Sequence, residues 1–361
     1  MLQTNRAGGV FLLTCLLTGP LLCQSFCFRG LISRPRRSSR PSVLSMSQGH
    51  EEEPLGLCMR GSLFHFDFRP FRKHLLGFVS NEECPNALVL VGGLTDGFLG
   101  LNYAAPLAES AKGCGFSLVQ TNLSSSWNQF GVCTLRSDAQ ELLLLIRHLR
   151  RVRKVQKVVL LGHSTGSQDA LSVLKLLHEL KEVSGKGGAK AVKQLLGLPN
   201  EEQSDNFKVC IEDFGVNGVI LQAGLSDREA MLGSEGAEKD GFLRLRDQAD
   251  KLMKEGKPDE LLPERLYGAV PITAYRFSSL IGRKTEDDLF SSDLEDDFLE
   301  EIVKPVDVPV FVCHGTADEY APSQEKLREF TGRFLGVLKR KGISCDSLFV
   351  EGQVIRLGAH E

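Results

Sequence analysis

The stretch Val158-Val-Leu-Leu-Gly-His-Ser-Thr-Gly-Ser-Gln-Asp-Ala170 decides the fold class of this chain. It begins with a short, continuous apolar run, which is typical of a strand buried on both faces of a parallel sheet. The sequence after it predicts a helix over residues 168–180. Between the two lies Gly162-His-Ser-Thr-Gly166. A G-x-S-x-G sequence between a buried strand and a helix is the pattern of a nucleophile elbow.

Ser164 is the candidate nucleophile of this elbow. In so tight a turn, neighbouring backbone leaves no room for a Cβ at the two glycines. The turn lifts Ser164 Oγ above the sheet, at the positive end of the following helix. We therefore predict a catalytic serine, and a purely structural turn is the alternative. His163 is expected to pack beside the nucleophile rather than act as its base, because its side chain should point away from the hydroxyl.

The predicted nucleophile requires two partners. A serine hydroxyl is a weak nucleophile until a histidine, itself held by a carboxylate, takes its proton. In proteins with a nucleophile elbow, the expected order of the three residues along the chain is serine, acid, histidine. Asp318 follows a late apolar strand and is the predicted acid, with Asp227 as the alternative and Glu319 expected to face away. His360 is the last histidine and the predicted base. It stands one residue before the end of the sequence, so we expect its loop to be weakly held.

An oxyanion hole is expected beside the nucleophile, built from two backbone N–H groups. Thr165 should supply one of them. The loop Val91-Gly-Gly-Leu-Thr-Asp-Gly97 should supply the other, from Leu94 or else from Gly93. A phosphate cradle is the rival interpretation of this loop. We reject it because the loop lacks both the G-x-G-x-x-G spacing and the lysine that a P-loop carries.

Strands and helices alternate along most of the chain, which predicts an α/β fold with a mostly parallel sheet and helices on both faces. We place one domain over residues 57–361. Residues 181–207 are predicted to be a surface insertion, and residues 226–304 a helical cap above the strand ends. Nine of the sixteen residues 286–301 are acidic. We interpret that run as a solvated face, with a cation-binding role as the alternative.

Composition excludes several classes of protein. The 361 residues are 42% hydrophobic and 25% charged, which excludes a disordered, collagen-like or multi-span membrane protein. The ten cysteines include no C-x-x-C pair, and the histidines show no metal-ligand spacing, so no zinc site is expected. Beyond residue 50 the chain has 37 basic and 46 acidic residues. This acidic balance argues against a nucleic-acid partner.

Residues 1–50 have the composition of a targeting leader. An apolar run of signal-peptide length, residues 10–23, follows Arg6, and it is too short and too broken by glycine and proline for a membrane span. An acid-free segment rich in arginine and serine comes next, as in transit peptides. The two parts together resemble the leader of proteins sent to plastids of secondary endosymbiotic origin. A secretory or mitochondrial leader is the alternative.

With Ser164, Asp318 and His360 in this order, the chain resembles an α/β-hydrolase. Further stretches resemble a family of fungal and plant hydrolases, long known only as a domain of unknown function, whose fungal members include esterases of fusarinine-type siderophores. These stretches are Gly92–Gly97, Gly162–Asp169, Leu221–Glu229, Pro271–Phe277, Asp287–Leu294 and Asp318–Pro322. The resemblance spans roughly residues 57–361 and implies the same three catalytic residues. It does not imply a siderophore substrate.

The residues and the resemblance together predict a serine hydrolase that cleaves carboxylic esters of small molecules through an acyl-enzyme on Ser164. No metal or organic cofactor is expected, because the serine, the base and the oxyanion hole suffice for the reaction. An acyltransferase would use the same residues with an alcohol in place of water. A binding protein without activity on the same fold is the alternative of a different class.

Overall fold

A computed structural model describes residues 58–67, 74–184, 188–198, 210–318, 320–321 and 323–351. The predicted leader, residues 1–50, lies outside the described residues. So do Glu319 and the predicted base His360. The other predicted site residues all fall within the described part of the chain.

The described strands form one eight-stranded sheet, in the order β1-β2-β4-β3-β5-β6-β7-β8. β1 pairs with β2 and β2 with β4 in antiparallel fashion, and all other neighbours are parallel. The strands are β1 (Ser62–His65), β2 (Leu76–Ser80), β3 (Asn86–Val91), β4 (Phe116–Asn122), β5 (Lys157–His163), β6 (Gly218–Gln222), β7 (Val310–Gly315) and β8 (Cys345–Val350). The prediction of a mostly parallel sheet is therefore confirmed, and the strands from β3 to β8 end at one edge.

Helices follow most of the strands. They are α1 (Ala104–Gly113), α2 (Leu135–Arg151), α3 (Thr165–Ser184), α4 (Gly188–Leu195), α5 (Asp227–Gly233), α6 (Gly236–Lys254), α7 (Ala274–Ile281), α8 (Asp296–Val303) and α9 (Gln324–Arg340), with 3₁₀ turns at Trp127–Gly131 and Ile211–Phe214. The helix α2 begins at a capping box, in which Thr134 and Ser137 bond reciprocally to each other's backbone N–H. Part of the predicted insertion 181–207 is the helix α4, whose Val192 is buried in the main core.

The central strands are buried on both faces, which explains their continuous apolar sequence. In β5, Val158 and Leu160 belong to one apolar cluster, while Val159 and Leu161 belong to another. The first cluster contains the apolar faces of α2, α3 and α9, and the second contains α1. Helices thus cover both faces of the sheet, as predicted. Burying each such side chain contributes about 1.5–3 kcal/mol.

The segment between β6 and β7 packs around a third apolar cluster. Its members come chiefly from α6, α7 and the chain between them, and they include Phe242, Leu266 and Phe277. Phe130 of the first 3₁₀ turn and the side chain of Leu94 also pack here. This helical segment is therefore joined to the loops that follow β3 and β4. No helix in the described ranges is long and apolar enough to cross a membrane.

Candidate active site

Ser164 occupies a sharp turn between the end of β5 and the start of α3. Its φ is +53°, in the left-handed region that a residue with a Cβ rarely adopts. The Ser164 N–H donates a hydrogen bond of 2.9 Å to the carbonyl oxygen of Gln222, at the end of β6. The neighbouring strand therefore holds the serine in a strained conformation. This is the backbone geometry of a nucleophile elbow.

Close backbone contacts explain the glycines on either side of the serine. A Cβ at Gly162 would lie 2.0 Å from the carbonyl oxygen of Gly166. A Cβ at Gly166 would lie 2.2 Å from the carbonyl oxygen of Val91, the last residue of β3. No side chain fits at either position. The absence of side chains lets the elbow lie directly against the end of β3 and the loop that follows it.

The loop after β3 contacts Ser164. A Cβ built on Gly93 would lie 3.2 Å from Ser164 Cβ and 3.5 Å from Ser164 Oγ. The Gly93 N–H donates to Asp96 Oδ2 at 2.7 Å, and the Asp96 N–H donates to the Gly93 carbonyl oxygen at 3.2 Å. Because Asp96 already accepts the Gly93 N–H, Leu94 and Thr165 are the better candidates for the oxyanion hole.

Asp96 is a candidate functional residue that the sequence reasoning missed. The only signal for it was a carboxylate close behind the glycine pair in Gly92-Gly-Leu-Thr-Asp-Gly97. Its side chain also lies where a Cβ of Gly92 or Gly100 would stand, at 2.4 Å and 2.7 Å respectively. The loop therefore wraps closely around this one carboxylate.

The two candidate acids lie at the same edge of the sheet but in different surroundings. Asp318 follows β7, is 9% exposed, and accepts a hydrogen bond of 3.0 Å from the Tyr320 N–H. The strand β7, which precedes Asp318, lies two strand spacings, about 10 Å, from β5, which precedes Ser164. Asp227 begins α5 and accepts a hydrogen bond from Gln168 Nε2 at 3.2 Å. Burial raises the pKa of Asp227 to about 7, and the nearby Asp287 adds to the shift.

Two histidines near the site are buried and held neutral. His163 is 1% exposed and meets the Tyr103 ring edge to face, with the ring centroids 5.9 Å apart. Burial lowers the pKa of His163. His314 in β7 packs on Phe349, and burial lowers its pKa to about 4. Both surroundings suit packing residues, and neither favours the charged imidazolium that a general base must form.

A buried group of charges links α7 to α3, the helix that follows Ser164. Arg276 in α7 donates hydrogen bonds to Asp287 and, at 3.0 Å, to the carbonyl oxygen of Phe130. Burial raises the pKa of Asp138 in α2 to about 8, and it raises the pKa of Asp169 in α3 well above its usual range. The neighbouring carboxylates add to both shifts, while Arg276 opposes them. The charge of Arg276 thus offsets part of the upward pKa shift of several buried carboxyl groups.

A small cavity lies beneath the loop that contacts Ser164. Its volume is about 30 Å³, and its walls include Gly92, Gly93, Asp96, Gly97 and Asp169. That volume holds about two water molecules. It is too small for the acyl or alcohol group of an ester.

Comparison with known proteins identifies relatives of this chain. The chain is 30% identical over 248 residues to the fusarinine C esterase sidJ of Aspergillus fumigatus, a match that covers 60% of this chain and 64% of that protein. It spans less than two thirds of the length of each curated relative that it matches.

Among solved structures, the siderophore hydrolase EstB of Aspergillus fumigatus is similar with a TM-score of 0.63 and 25% identity, over 84% of this chain and 92% of that one. An α/β-hydrolase fold protein of unknown function is similar with a TM-score of 0.53 and 23% identity, over 81% of this chain and 87% of that one. Both likenesses agree with the parallel sheet and its covering helices. The family model described as "Protein of unknown function (DUF1749)" matches residues 65–360, so the chain has an α/β-hydrolase fold and belongs to that family.

Proposed function

We propose that this protein is a serine esterase in which Ser164 attacks the carbonyl carbon of a carboxylic ester. The observation that carries the proposal is the left-handed backbone of Ser164, held within contact distance of Gly93. Strained conformations persist only where the surrounding structure over-determines them, and they concentrate at active sites. The names of the relatives, an esterase and a siderophore hydrolase, support the same class of reaction.

In the proposed reaction His360 takes the proton of Ser164 Oγ as the oxygen attacks, while Asp318 orients the imidazole. The N–H groups of Leu94 and Thr165 stabilise the negative charge that develops on the carbonyl oxygen. The substrate ester bond breaks as the serine ester forms, and the alcohol leaves with a proton from His360. Water, deprotonated by the same histidine, then releases the acid.

A carboxylic ester of a small molecule is the proposed substrate class. The names of the relatives report siderophore esters as substrates of those proteins, and such an ester belongs in the panel of compounds to be tested here. An acyltransferase would form the same acyl-enzyme. Adding an alcohol acceptor to the assay separates the two activities, because a hydrolase yields chiefly the free acid and a transferase chiefly the new ester.

The test of the proposal is labelling with a fluorophosphonate, which reacts with activated serines. We expect the full chain to be labelled and the Ser164→Ala variant not to be labelled. Ser110→Ala, which changes a serine of α1 outside the site, is the matched control and should label like the unchanged protein. A folded protein that does not react is a binding protein on this fold, and labelling that survives Ser164→Ala assigns the nucleophile elsewhere.

The cellular compartment of the protein is a separate part of the proposal. We propose that residues 1–50 direct the protein out of the cytosol, either to a plastid through both parts of the leader or into the secretory pathway or a mitochondrion. Fusion of these residues to a fluorescent protein tests it. A diffuse cytosolic signal in cells with plastids of secondary origin contradicts it.

A further inference from the structure

Trp127 has a large apolar side chain that the fold leaves exposed to solvent. It is the only tryptophan of the chain, and 53% of its surface is exposed. Its φ is +63°, which is a genuine outlier for a bulky residue. An exposed aromatic ring on a strained backbone has no advantage for folding alone. Strained backbone of this kind concentrates at active sites and ligand clamps.

The turn around Trp127 is fixed on both sides. Before it, the Leu123 N–H donates to Ser126 Oγ at 3.0 Å. After it, the carbonyl oxygen of Gly131 accepts a hydrogen bond of 3.0 Å from the Thr273 N–H. The neighbouring carbonyl oxygen of Phe130 accepts the bond from buried Arg276 described above. The helical segment between β6 and β7 therefore holds the turn that carries the indole.

The indole lies on the loop that contacts the nucleophile. A Cβ at Gly97 would lie only 2.3 Å from Trp127 Cζ2, so one part of the ring packs directly on this glycine. Gly97 is four residues from Gly93, in the same loop that wraps around Asp96. Gly93 in turn lies against Ser164. The rest of the indole is exposed, on the same loop whose Gly93 contacts Ser164.

A second apolar side chain, on the loop after β3, is also exposed and also has a left-handed backbone. Leu99 is 36% exposed and has a φ of +60°. Its N–H donates to Gln120 Oε1, a buried side chain of β4, at 2.9 Å. Leu99 on the loop after β3 and Trp127 on the turn that packs against this loop are thus both strained and exposed. The cavity lined by Gly93 and Gly97 is too small for an apolar group of an ester, whereas the exposed indole offers such a group an open surface.

We propose that Trp127 is a specificity-determining residue that binds a flat, apolar group of the ester by stacking. The inference rests on the proposed esterase activity and names the class of ester that the site prefers. A flat ring matches the planar indole face better than a flexible alkyl chain does. Aromatic pairs attract each other more strongly than their buried area alone would give. The flat group belongs either to the acyl or to the alcohol part of the ester, and the experiment distinguishes them.

Binding is tested in the full-length Ser164→Ala variant, which needs no catalysis. Because Trp127 is the only tryptophan, indole emission reports on this one residue. The ligands are methyl benzoate, with a flat acyl group, phenyl acetate, with a flat alcohol group, and ethyl butyrate, with neither. We expect a saturable change of emission with one of the two flat esters and none with ethyl butyrate. Equal responses to all three esters, or no saturable response, overturn the proposal.

Kinetics provide the second arm. In the chain with Ser164 intact, Trp127→Ala should lower the ratio of kcat/KM for the preferred flat ester to that for ethyl butyrate by about tenfold or more. Trp127→Phe keeps a flat ring and should retain most of the ratio. Tyr275→Ala removes an exposed aromatic residue of α7 and should leave the ratio unchanged.

Failure of this inference differs from failure of the proposed function. An unchanged ratio in Trp127→Ala, in a chain that hydrolyses esters, overturns the role of the tryptophan and leaves the esterase intact. A saturable emission change in a chain that hydrolyses no ester supports the binding surface and contradicts the esterase.

Discussion

Gly93 and Asp96 hold each other through two hydrogen bonds beside the proposed nucleophile. The Gly93 N–H donates to the Asp96 carboxylate at 2.7 Å, and the Asp96 N–H donates to the Gly93 carbonyl oxygen at 3.2 Å. This closed turn fixes the backbone where it approaches Ser164. The same turn presents the following residue, Leu94, whose side chain is anchored in the apolar cluster of the helical segment. The position of the proposed oxyanion donor thus depends on one carboxylate.

Asp96→Ala should lower kcat about 10- to 100-fold. A hydrogen bond to a charged group contributes roughly 1.5–3 kcal/mol, and its loss frees the loop that carries Leu94. Steady-state kinetics on any ester that the enzyme turns over measure the effect. Thr95→Ala changes the exposed neighbour and should stay within about twofold of the unchanged enzyme. Activity of Asp96→Ala equal to that of Thr95→Ala would contradict a positioning role for the carboxylate.

Ser164→Gly should be inactive but more stable than Ser164→Ala, by about 1 kcal/mol. Both variants lack the nucleophile, but only glycine adopts the left-handed conformation of this position without steric cost. Urea denaturation of the two variants measures the difference in the free energy of unfolding. An alanine variant as stable as the glycine variant would mean that the turn at residue 164 carries no strain.

Asp318→Asn should lower kcat/KM by about 10³–10⁴, because an amide orients the base in the wrong tautomer. Asp227→Asn should have a far smaller effect, since burial already raises the pKa of Asp227 to about 7 and makes it a poorer partner for an imidazolium ion. The two variants are compared in one assay. The opposite ranking would assign the acid to the strand β6 instead of β7.

The contribution of Asp138 to the free energy of unfolding should fall as the pH rises from about 4 to about 8, against the opposite effect of buried histidines such as His314. An aspartate in the unfolded chain has a pKa of about 3.9, whereas burial raises the pKa of Asp138 to about 8 in the folded protein. Between these values the folded state binds more protons than the unfolded state, so raising the pH favours unfolding. Glu141 and Asp287 add to the shift, while Arg276 and a hydrogen bond from Ser125 oppose it.

Asp138→Asn tests this expectation, because the amide cannot ionise. Urea denaturation at pH 5 and at pH 8 should show a smaller loss of stability in Asp138→Asn than in the unchanged chain. Asp259→Asn, at an exposed position, is the control and should keep the original loss. An equal loss in Asp138→Asn and in the control would place the titrating groups elsewhere.

The sequence by itself determined the sheet and the turn at Ser164, because both depend on local patterns. A continuous apolar run such as Val158–Leu161 is typical of a strand covered on both faces, and the structure divides its residues between two apolar clusters. The glycines at 162 and 166 likewise have a local cause, the lack of space for a Cβ. These features required no knowledge of distant contacts. The assignments of Asp318 and His360 rest on chain order and remain predictions.

Only the tertiary structure decided what surrounds Ser164, because those contacts join residues far apart in the chain. Nothing local marks Gly97 as the support of the Trp127 indole, or Arg276 as the partner of Phe130 across 146 positions. The sequence predicted the Gly93 N–H as an alternative oxyanion donor, and only the folded loop turns the Asp96 carboxylate onto it. Burial and the directions of hydrogen bonds follow from packing, which no periodicity in the sequence encodes.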